Sequence, residues 1–182
     1  MSDRRETIRE KLGLVHVYTG DGKGKTTAAL GLAMRAIGNG LNVAMVQFMK
    51  SPEQYGEWEM SDHIDNFLLL PMGRSCLVEP GKPEKDDVEA AEAALRKAEE
   101  ILCSGKYDLV ILDEVNVASA WKLIRKEDVV SLVKGRPPNV EIVLTGRYAP
   151  EEFIDLADLV TEMRLVKHPF QRGIPARAGI ER

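Results

Sequence analysis

Short apolar runs alternate with stretches of helical periodicity along this chain. Six runs have the length of strands, at residues 14–18, 42–48, 67–70, 109–112, 140–144 and 159–164. Apolar strands that alternate with helices are typical of a parallel sheet buried on both faces. The pattern therefore predicts a single α/β domain with a mostly parallel central sheet of five to six strands and helices on both faces.

The strongest predicted helix spans residues 86–103, which begin with acidic residues, are rich in alanine and are followed by Gly105. A second helix follows the first strand and ends at the Gly38-Asn39-Gly40 turn. Shorter helices are predicted near residues 128–134 and after Pro150. Residues 71–86, rich in Pro, Gly and charge, are expected to form a mobile loop.

The loop between the first strand and its helix has the composition of a phosphate-binding loop. Gly20, Gly22 and Gly24 leave backbone N–H groups open at a helix N-terminus, where negative charge is favoured. Lys25 occupies the position of a lysine that reaches the outer phosphates, and the Thr26 hydroxyl is suited to Mg²⁺. The loop therefore predicts a site for a nucleotide triphosphate, most simply ATP with Mg²⁺, and a P-loop NTPase fold of the RecA-like type.

Two features refine this prediction. The glycine spacing departs from G-x-x-x-x-G-K-[ST], because Thr19 stands where the first glycine is expected. Asp113 and Glu114 follow the apolar run 109–112 directly. In P-loop proteins, a carboxylate at the end of a neighbouring strand holds or orients the metal. A variant P-loop with an acidic partner strand is the resulting hypothesis.

Charge and composition narrow the setting. The 25 basic and 29 acidic residues give a formal net charge of -4, so we do not expect the protein to bind nucleic acid. The N-terminus is polar and no apolar run approaches the roughly 20 residues of a membrane span. We expect a cytoplasmic protein in which Cys76 and Cys103 are free and buried, with a polar segment at 1–12 and the nucleotide-binding domain at 13–182.

With these motifs in place, the chain resembles the P-loop corrinoid adenosyltransferases, which act on cobalamin or its precursor cob(I)yrinic acid a,c-diamide. The resemblance covers roughly residues 13 to 181. It is carried, in family order, by residues 17–29 (V-Y-T-G-D-G-K-G-K-T-T-A-A), 47–50 (Q-F-M-K), 112–118 (L-D-E-V-N-V-A), 144–147 (L-T-G-R), 156–164 (L-A-D-L-V-T-E-M-R), 166–170 (V-K-H-P-F) and 179–181 (G-I-E). The shortened glycine spacing is similar to the variant of this family.

The resemblance implies transfer of the 5'-deoxyadenosyl group of ATP to Co(I) of a corrinoid, with release of tripolyphosphate. Lys25 and Glu114 are the implied catalytic residues, and Thr26, Glu114 and Asp113 the implied Mg²⁺ ligands. The implied nucleotide-binding residues are Thr19, Gly20, Asp21, Gly22, Lys23, Gly24, Lys25, Thr26, Thr27 and Arg147. His168, Arg35, Gln47, Lys50 and Asn116 are weaker candidates.

The family also implies a homodimer and a flavoprotein reductase that delivers the electron for Co(II) reduction. One segment departs from the pattern, because residues 72–80 read M-G-R-S-C-L-V-E-P and lack the Phe and Trp that face the corrinoid in many members. The acceptor side of the site is therefore less well predicted than the ATP side.

Three other functions use the same loop. A nucleoside or small-molecule kinase would transfer the γ-phosphate, with Glu114 as general base. A nucleotide-dependent ATPase of the partitioning type would carry a signature lysine where this chain has Gly20. A non-catalytic, ATP-binding regulatory module is compatible with the altered 72–86 segment.

Overall fold

The computed structural model describes residues 2–51, 56–75, 78–79 and 81–181. Its strands are β1 (Val15–Thr19), β2 (Val43–Gln47), β3 (Phe67–Pro71), β4 (Leu109–Asp113), β5 (Glu141–Thr145) and β6 (Leu159–Glu162). Its helices are α1 (Ser2–Arg9), α2 (Lys25–Gly38), α3 (Gly56–Ser61), α4 (Lys85–Cys103), α5 (Val115–Ala120), α6 (Lys126–Gly135) and α7 (Glu151–Leu156), and a 3-10 helix spans Pro169–Arg172.

The six strands form one parallel sheet in the order β3-β2-β4-β5-β1-β6. The predicted α/β fold is confirmed, and each predicted strand lies within two residues of an observed one. Because all strands run in the same direction, their carboxyl ends meet at one edge of the sheet, where α/β folds bind ligands. The β1–α2 loop and the end of β4 both lie at that edge.

Successive residues of the central strands point to opposite faces of the sheet and enter two separate cores. In β4, Val110 and Leu112 pack in the larger core, whereas Leu109 and Ile111 pack in the smaller one. The larger core contains the buried alanines of α4, and the smaller core contains those of α2. Burial on both faces explains why these strands are continuously apolar in sequence.

Two sequence-based expectations about burial are wrong. The strand 159–164 corresponds to β6, but this strand is exposed along its length, with Leu159 41% and Val160 44% exposed, because it forms the sheet edge beside β1. Cys103 is free as predicted but exposed, since it ends α4 after Ile101 and Leu102 have taken the core positions. Cys76 lies outside the described residues.

The N-terminal segment contributes to the fold more than its polarity suggests. Within residues 1–12, α1 leads to Leu12, and both Ile8 and Leu12 pack against the smaller core. Arg5 and Arg9 of this helix contact the carboxylate of Asp108, at 2.8 and 2.7 Å. This segment is therefore docked at the amino end of the sheet, away from the β1–α2 loop.

Part of the 71–86 segment, predicted as a mobile loop, lies outside the described residues. Within the described part, the Arg74 guanidinium forms ion pairs with Glu84 and Asp87 at 2.9 and 2.8 Å. These pairs tie the segment to the first turn of α4. No helix in the described ranges is long and apolar enough to span a membrane.

Candidate nucleotide-binding site

The β1–α2 loop has backbone conformations that favour glycine. Gly20 and Gly24 have φ of 94° and 124°, in the region that side chains rarely adopt. A Cβ atom on Gly22 would lie 2.7 Å from the carbonyl oxygens of Met163 and Arg164, and the Gly22 N–H donates to Met163 O at 2.6 Å. The glycines therefore leave the backbone open on the cavity side and allow the loop to pack closely against the segment after β6.

Lys25 is the first residue of α2 and is buried, with 7% of its surface exposed. Its Nζ donates hydrogen bonds to Gly20 O at 2.7 Å and Gly22 O at 2.8 Å. Burial lowers the pKa of Lys25, and Glu114 opposes this shift. The lysine thus holds its own loop closed while its ammonium group remains at the cavity wall.

Asp113, at the end of β4, is fully buried and receives four donors. Its Oδ1 accepts hydrogen bonds from the hydroxyls of Thr26 (2.9 Å) and Thr145 (2.6 Å). Its Oδ2 accepts from Gln47 Nε2 at 3.2 Å and lies 3.1 Å from Lys50 Nζ. The end of β4 is thereby connected to the β1–α2 loop and to the segment after β2.

Glu114 is the N-cap residue that precedes α5, and its φ of 62° is a left-handed conformation that is uncommon for a residue with a side chain. Its N–H donates to the Thr145 hydroxyl at 3.0 Å. Burial and then Asp113 raise the pKa of Glu114, while Lys50 and Lys25 act in the opposite direction. A carboxyl group with a raised pKa, in a strained backbone position facing a cavity, is a strong functional candidate.

These groups surround a cavity of about 600 Å³. The predicted site residues that line it are Gly22, Lys23, Gly24, Lys25, Thr26, Thr27, Glu114 and Arg147. Four others do not line it. Three of them lie behind its wall: Thr19 pairs with β6, Gly20 accepts the Lys25 hydrogen bond, and Asp113 accepts hydrogen bonds from its neighbours. The fourth, Asp21, is exposed outside the cavity.

The weaker sequence candidates divide between the site and its support. Lys50 and His168 line the cavity. Gln47 lies behind it, against Asp113, and Asn116 Nδ2 donates to the Gly146 carbonyl at 3.0 Å. Arg35 does not line the cavity.

Several lining residues carried no sequence signal for this position. One of them is Glu57 of α3, which contacts Lys50. Thr145 does not line the cavity, and its hydrogen bond to Asp113 arises because β5 lies beside β4. The opposite wall of the cavity comes from the C-terminal tail, namely His168, Pro169, Phe170, Ile174, Pro175, Ala176, Gly179, Ile180 and Glu181. The tail lacks periodicity, so only the 166–170 and 179–181 motifs of the family resemblance pointed to it.

The donor set of the site fits a hard divalent cation. The Thr26 hydroxyl and the carboxylates of Asp113, Glu114 and Glu57 are oxygen ligands, which Mg²⁺ prefers. Among the described residues, no group of three or more His, Cys, Asp or Glu side chains is close enough to hold a metal ion. This is the usual arrangement for Mg²⁺ in nucleotide sites, where one or two protein oxygens act together with phosphates and water.

The fold and this site define a P-loop nucleotide-binding protein. Among solved structures, the chain is similar to the flagellar accessory protein FlaH from Methanocaldococcus jannaschii, with a TM-score of 0.57 and 14% sequence identity. The match covers 83% of this chain and 71% of that one. At this identity the likeness supports the RecA-like fold alone.

The family follows from sequence comparison. Residues 11–182 match the family model described as ATP:corrinoid adenosyltransferase BtuR/CobO/CobP. A corrinoid adenosyltransferase from Sinorhizobium sp is 39% identical over 98% of this chain and 88% of its own length. The corrinoid adenosyltransferase CobA from Salmonella typhimurium is 36% identical, over 95% of this chain and 87% of its own. The chain belongs to the corrinoid adenosyltransferase family, a family of transferases.

Proposed function

We propose that this protein transfers the 5'-deoxyadenosyl group of ATP to the Co(I) centre of a corrinoid, in cobalamin metabolism. The electron pair of Co(I) forms the new bond to C5', and the C5'–O bond breaks with its electron pair leaving on tripolyphosphate. The observation that carries the proposal is a single cavity, lined on one side by the phosphate-binding loop and on the other by an apolar tail.

The loop binds the triphosphate as a leaving group. Its amides face the cavity at the N-terminus of α2, and Lys23, Lys25 and Arg147 add positive charge at the same wall. Lys25 exchanges the Gly20 and Gly22 carbonyls for phosphate oxygens when ATP binds. These groups stabilise the charge that builds on the leaving group as the C5'–O bond breaks.

Magnesium completes the phosphate site. Thr26 and Glu114 would hold the cation, and Asp113 orients the Thr26 hydroxyl through the 2.9 Å hydrogen bond or serves as an alternative ligand. When bound, the cation neutralises negative charge on the triphosphate. Burial and then Asp113 raise the pKa of Glu114, and a divalent cation bound at this position would favour its ionised form.

The tail supplies the apolar wall that a planar substrate requires. Phe170 is 75% exposed, and with Ile174 and Ile180 it faces the cavity. Exposed apolar groups clustered at a cavity are typical of ligand contacts. We propose that this wall takes over part of the role of the family aromatics missing from residues 72–80.

Two partners belong to this proposal. A flavoprotein reductase would deliver the electron that converts Co(II) to Co(I), and a second copy of the chain would form a homodimer. The acceptor is cobalamin or one of its precursors.

The test is to identify the bond that is cleaved. The protein is incubated with Mg·ATP and chemically reduced cobalamin, cobinamide or cobyrinic acid a,c-diamide, and products are analysed by mass spectrometry. We expect a light-sensitive alkylcobalt product and stoichiometric tripolyphosphate. Stoichiometric ADP would indicate a kinase instead, and ATP binding without turnover on any corrinoid would indicate a regulatory module.

A further inference from the structure

The side chain of Lys50 occupies a cluster of oxygen atoms beside the phosphate-binding loop. Its Nζ lies 3.1 Å from Asp113 Oδ2, 3.4 Å from Glu57 Oε1 and 3.5 Å from Thr26 Oγ1. The side chain is only 10% exposed, and the residue lines the cavity. One cation is therefore surrounded by two carboxylates and the P-loop hydroxyl.

The backbone of Lys50 is held by its neighbours, and its ammonium group lies in the wall of the cavity. The Gly73 N–H donates to Lys50 O at 2.9 Å, and a Cβ on Gly73 would lie 2.4 Å from the Lys50 nitrogen. The neighbouring Phe48 N–H donates to Asp113 O at 3.0 Å. The anchored backbone and flexible four-carbon stem allow the ammonium group to move within the cavity without disturbing the strand ends.

The oxygen atoms around this ammonium group are those that suit a divalent cation. Thr26 belongs to both sets, because its hydroxyl contacts Lys50 here and is the proposed Mg²⁺ ligand. Two positive groups cannot share oxygens at such distances without strong repulsion. Either the lysine or the metal ion can occupy the cluster, but not both.

We propose that Lys50 holds the place of the divalent cation in the nucleotide-free protein and moves towards the outer phosphates when the cation arrives with ATP. This inference rests on the proposed nucleotide and cation site. The lysine keeps the buried Asp113 compensated in the absence of substrate. It also makes cation binding depend on ATP, because the phosphates supply the charge that draws the ammonium group away.

The experiment measures Mn²⁺ binding without nucleotide, by electron paramagnetic resonance and calorimetry, with Mn²⁺ as a stand-in for Mg²⁺. The variants are Lys50→Met and Lys50→Gln, which remove the charge, and Lys50→Arg, which keeps it. Lys23→Met is the matched control, since it removes a lysine from the same cavity whose ammonium group donates to the Ile180 carbonyl at 3.2 Å and, among the described residues, forms no ion pair with Asp113 or Glu57.

We expect both neutral variants to bind Mn²⁺ at least about tenfold more tightly than the wild-type protein. Mn²⁺ alone should also raise the melting temperature of both neutral variants. If a neutral variant is unfolded without the cation, Mn²⁺ should restore its folded state. Lys50→Arg and Lys23→Met should bind Mn²⁺ in the absence of nucleotide as weakly as the wild-type protein does. Unchanged Mn²⁺ affinity in the neutral variants, or variants that stay unfolded with saturating Mn²⁺, would overturn the inference.

The outcome is separable from that of the proposed function. The variants are compared without ATP or corrinoid, and the wild-type protein is also titrated with Mn²⁺ in the presence of ATP alone, so neither measurement depends on which bond is cleaved when a corrinoid is present. A wild-type protein that binds Mn²⁺ equally well with and without ATP would contradict the role of Lys50 and leave the transfer reaction intact. Failure of adenosyl transfer with the expected Mn²⁺ pattern would reject the reaction alone.

Discussion

β4 carries a fully buried aspartate at each end, and the two have different surroundings. Asp108 precedes the strand at the amino edge of the sheet, where it contacts Arg5 and Arg9 of α1 and accepts the Asn42 N–H at 2.8 Å. Each of these groups belongs to the packed scaffold. The carboxylate is neutralised within the fold, and Asp108 does not line the nucleotide cavity.

Asp113, at the carboxyl edge, has partners that themselves face a cavity. Thr26 and Lys50 both contact this aspartate and both line the nucleotide site. A buried carboxylate is thus not by itself a sign of function. The informative feature is whether the groups that compensate its charge are also positioned to meet a ligand.

The largest effect is expected at the carboxyl edge of the sheet, on the Mg·ATP affinity of a Lys25 variant. Lys25→Ala should weaken Mg·ATP binding by about 100-fold, because the lysine supplies charge to the phosphates. Within the described residues, the Lys25 side chain donates hydrogen bonds to the carbonyls of its own loop, so the melting temperature should stay close to that of the wild-type protein. Calorimetry and thermal unfolding measure the two quantities. An unfolded Lys25→Ala protein would show that the lysine is structural.

The complementary change is Asp108→Asn, which should destabilise the protein by about 2 kcal/mol, because the charge-assisted hydrogen bond from Arg5 and the ion pair with Arg9 are weakened. The two arginines are partly exposed, which limits the effect. Mg·ATP affinity should not change, since Asp108 lies at the opposite edge of the sheet. Chemical denaturation gives the stability, and a loss of ATP affinity in the folded variant would contradict the comparison.

The smallest effect concerns Glu141, also at the amino edge, which accepts hydrogen bonds from His16 and from the N–H groups of Gly13 and Leu14. Burial raises the pKa of Glu141, but these hydrogen bonds outweigh burial and lower it. A lowered carboxyl pKa stabilises the folded state above the unfolded pKa, and this contribution disappears as pH falls through the folded pKa.

Glu141→Gln should therefore cost about 1 kcal/mol at neutral pH and progressively less in acid. Denaturation curves across the acidic range measure the difference from the wild-type protein. A difference that stays constant with pH would mean that the charge of Glu141 contributes nothing. His16→Gln, which removes the side-chain partner alone, is the matched variant.

Local sequence predicted much of the site because its signals are local. A P-loop consists of neighbouring residues, so the glycines, Lys25 and Thr26 are recognisable together. Asp113 and Glu114 are recognisable because a buried strand precedes them directly. The roles given to these residues in catalysis and metal binding stay predictions.

Signals that depend on neighbours in space were not predictable in the same way. The role of Thr145 arises from the adjacency of β4 and β5, and that of Glu57 from the packing of α3 beside the segment after β2. β6 is exposed because it lies at the sheet edge, and Cys103 is exposed because it lies at the end of a helix. The identity of a side chain does not reveal either position. An apolar residue predicts burial only when another element covers it.

The sequence by itself determined the parallel α/β architecture, the phosphate-binding loop and, through its resemblance, the family, because periodicity and contiguous motifs are properties of the chain. The tertiary structure decided which charges share a cluster. It brought Lys50 onto Asp113 and Thr26, joined α1 to Asp108 and set the tail opposite the P-loop. Such contacts join residues far apart in sequence, and their distances are set only when the sheet has assembled and every strand end has its neighbours.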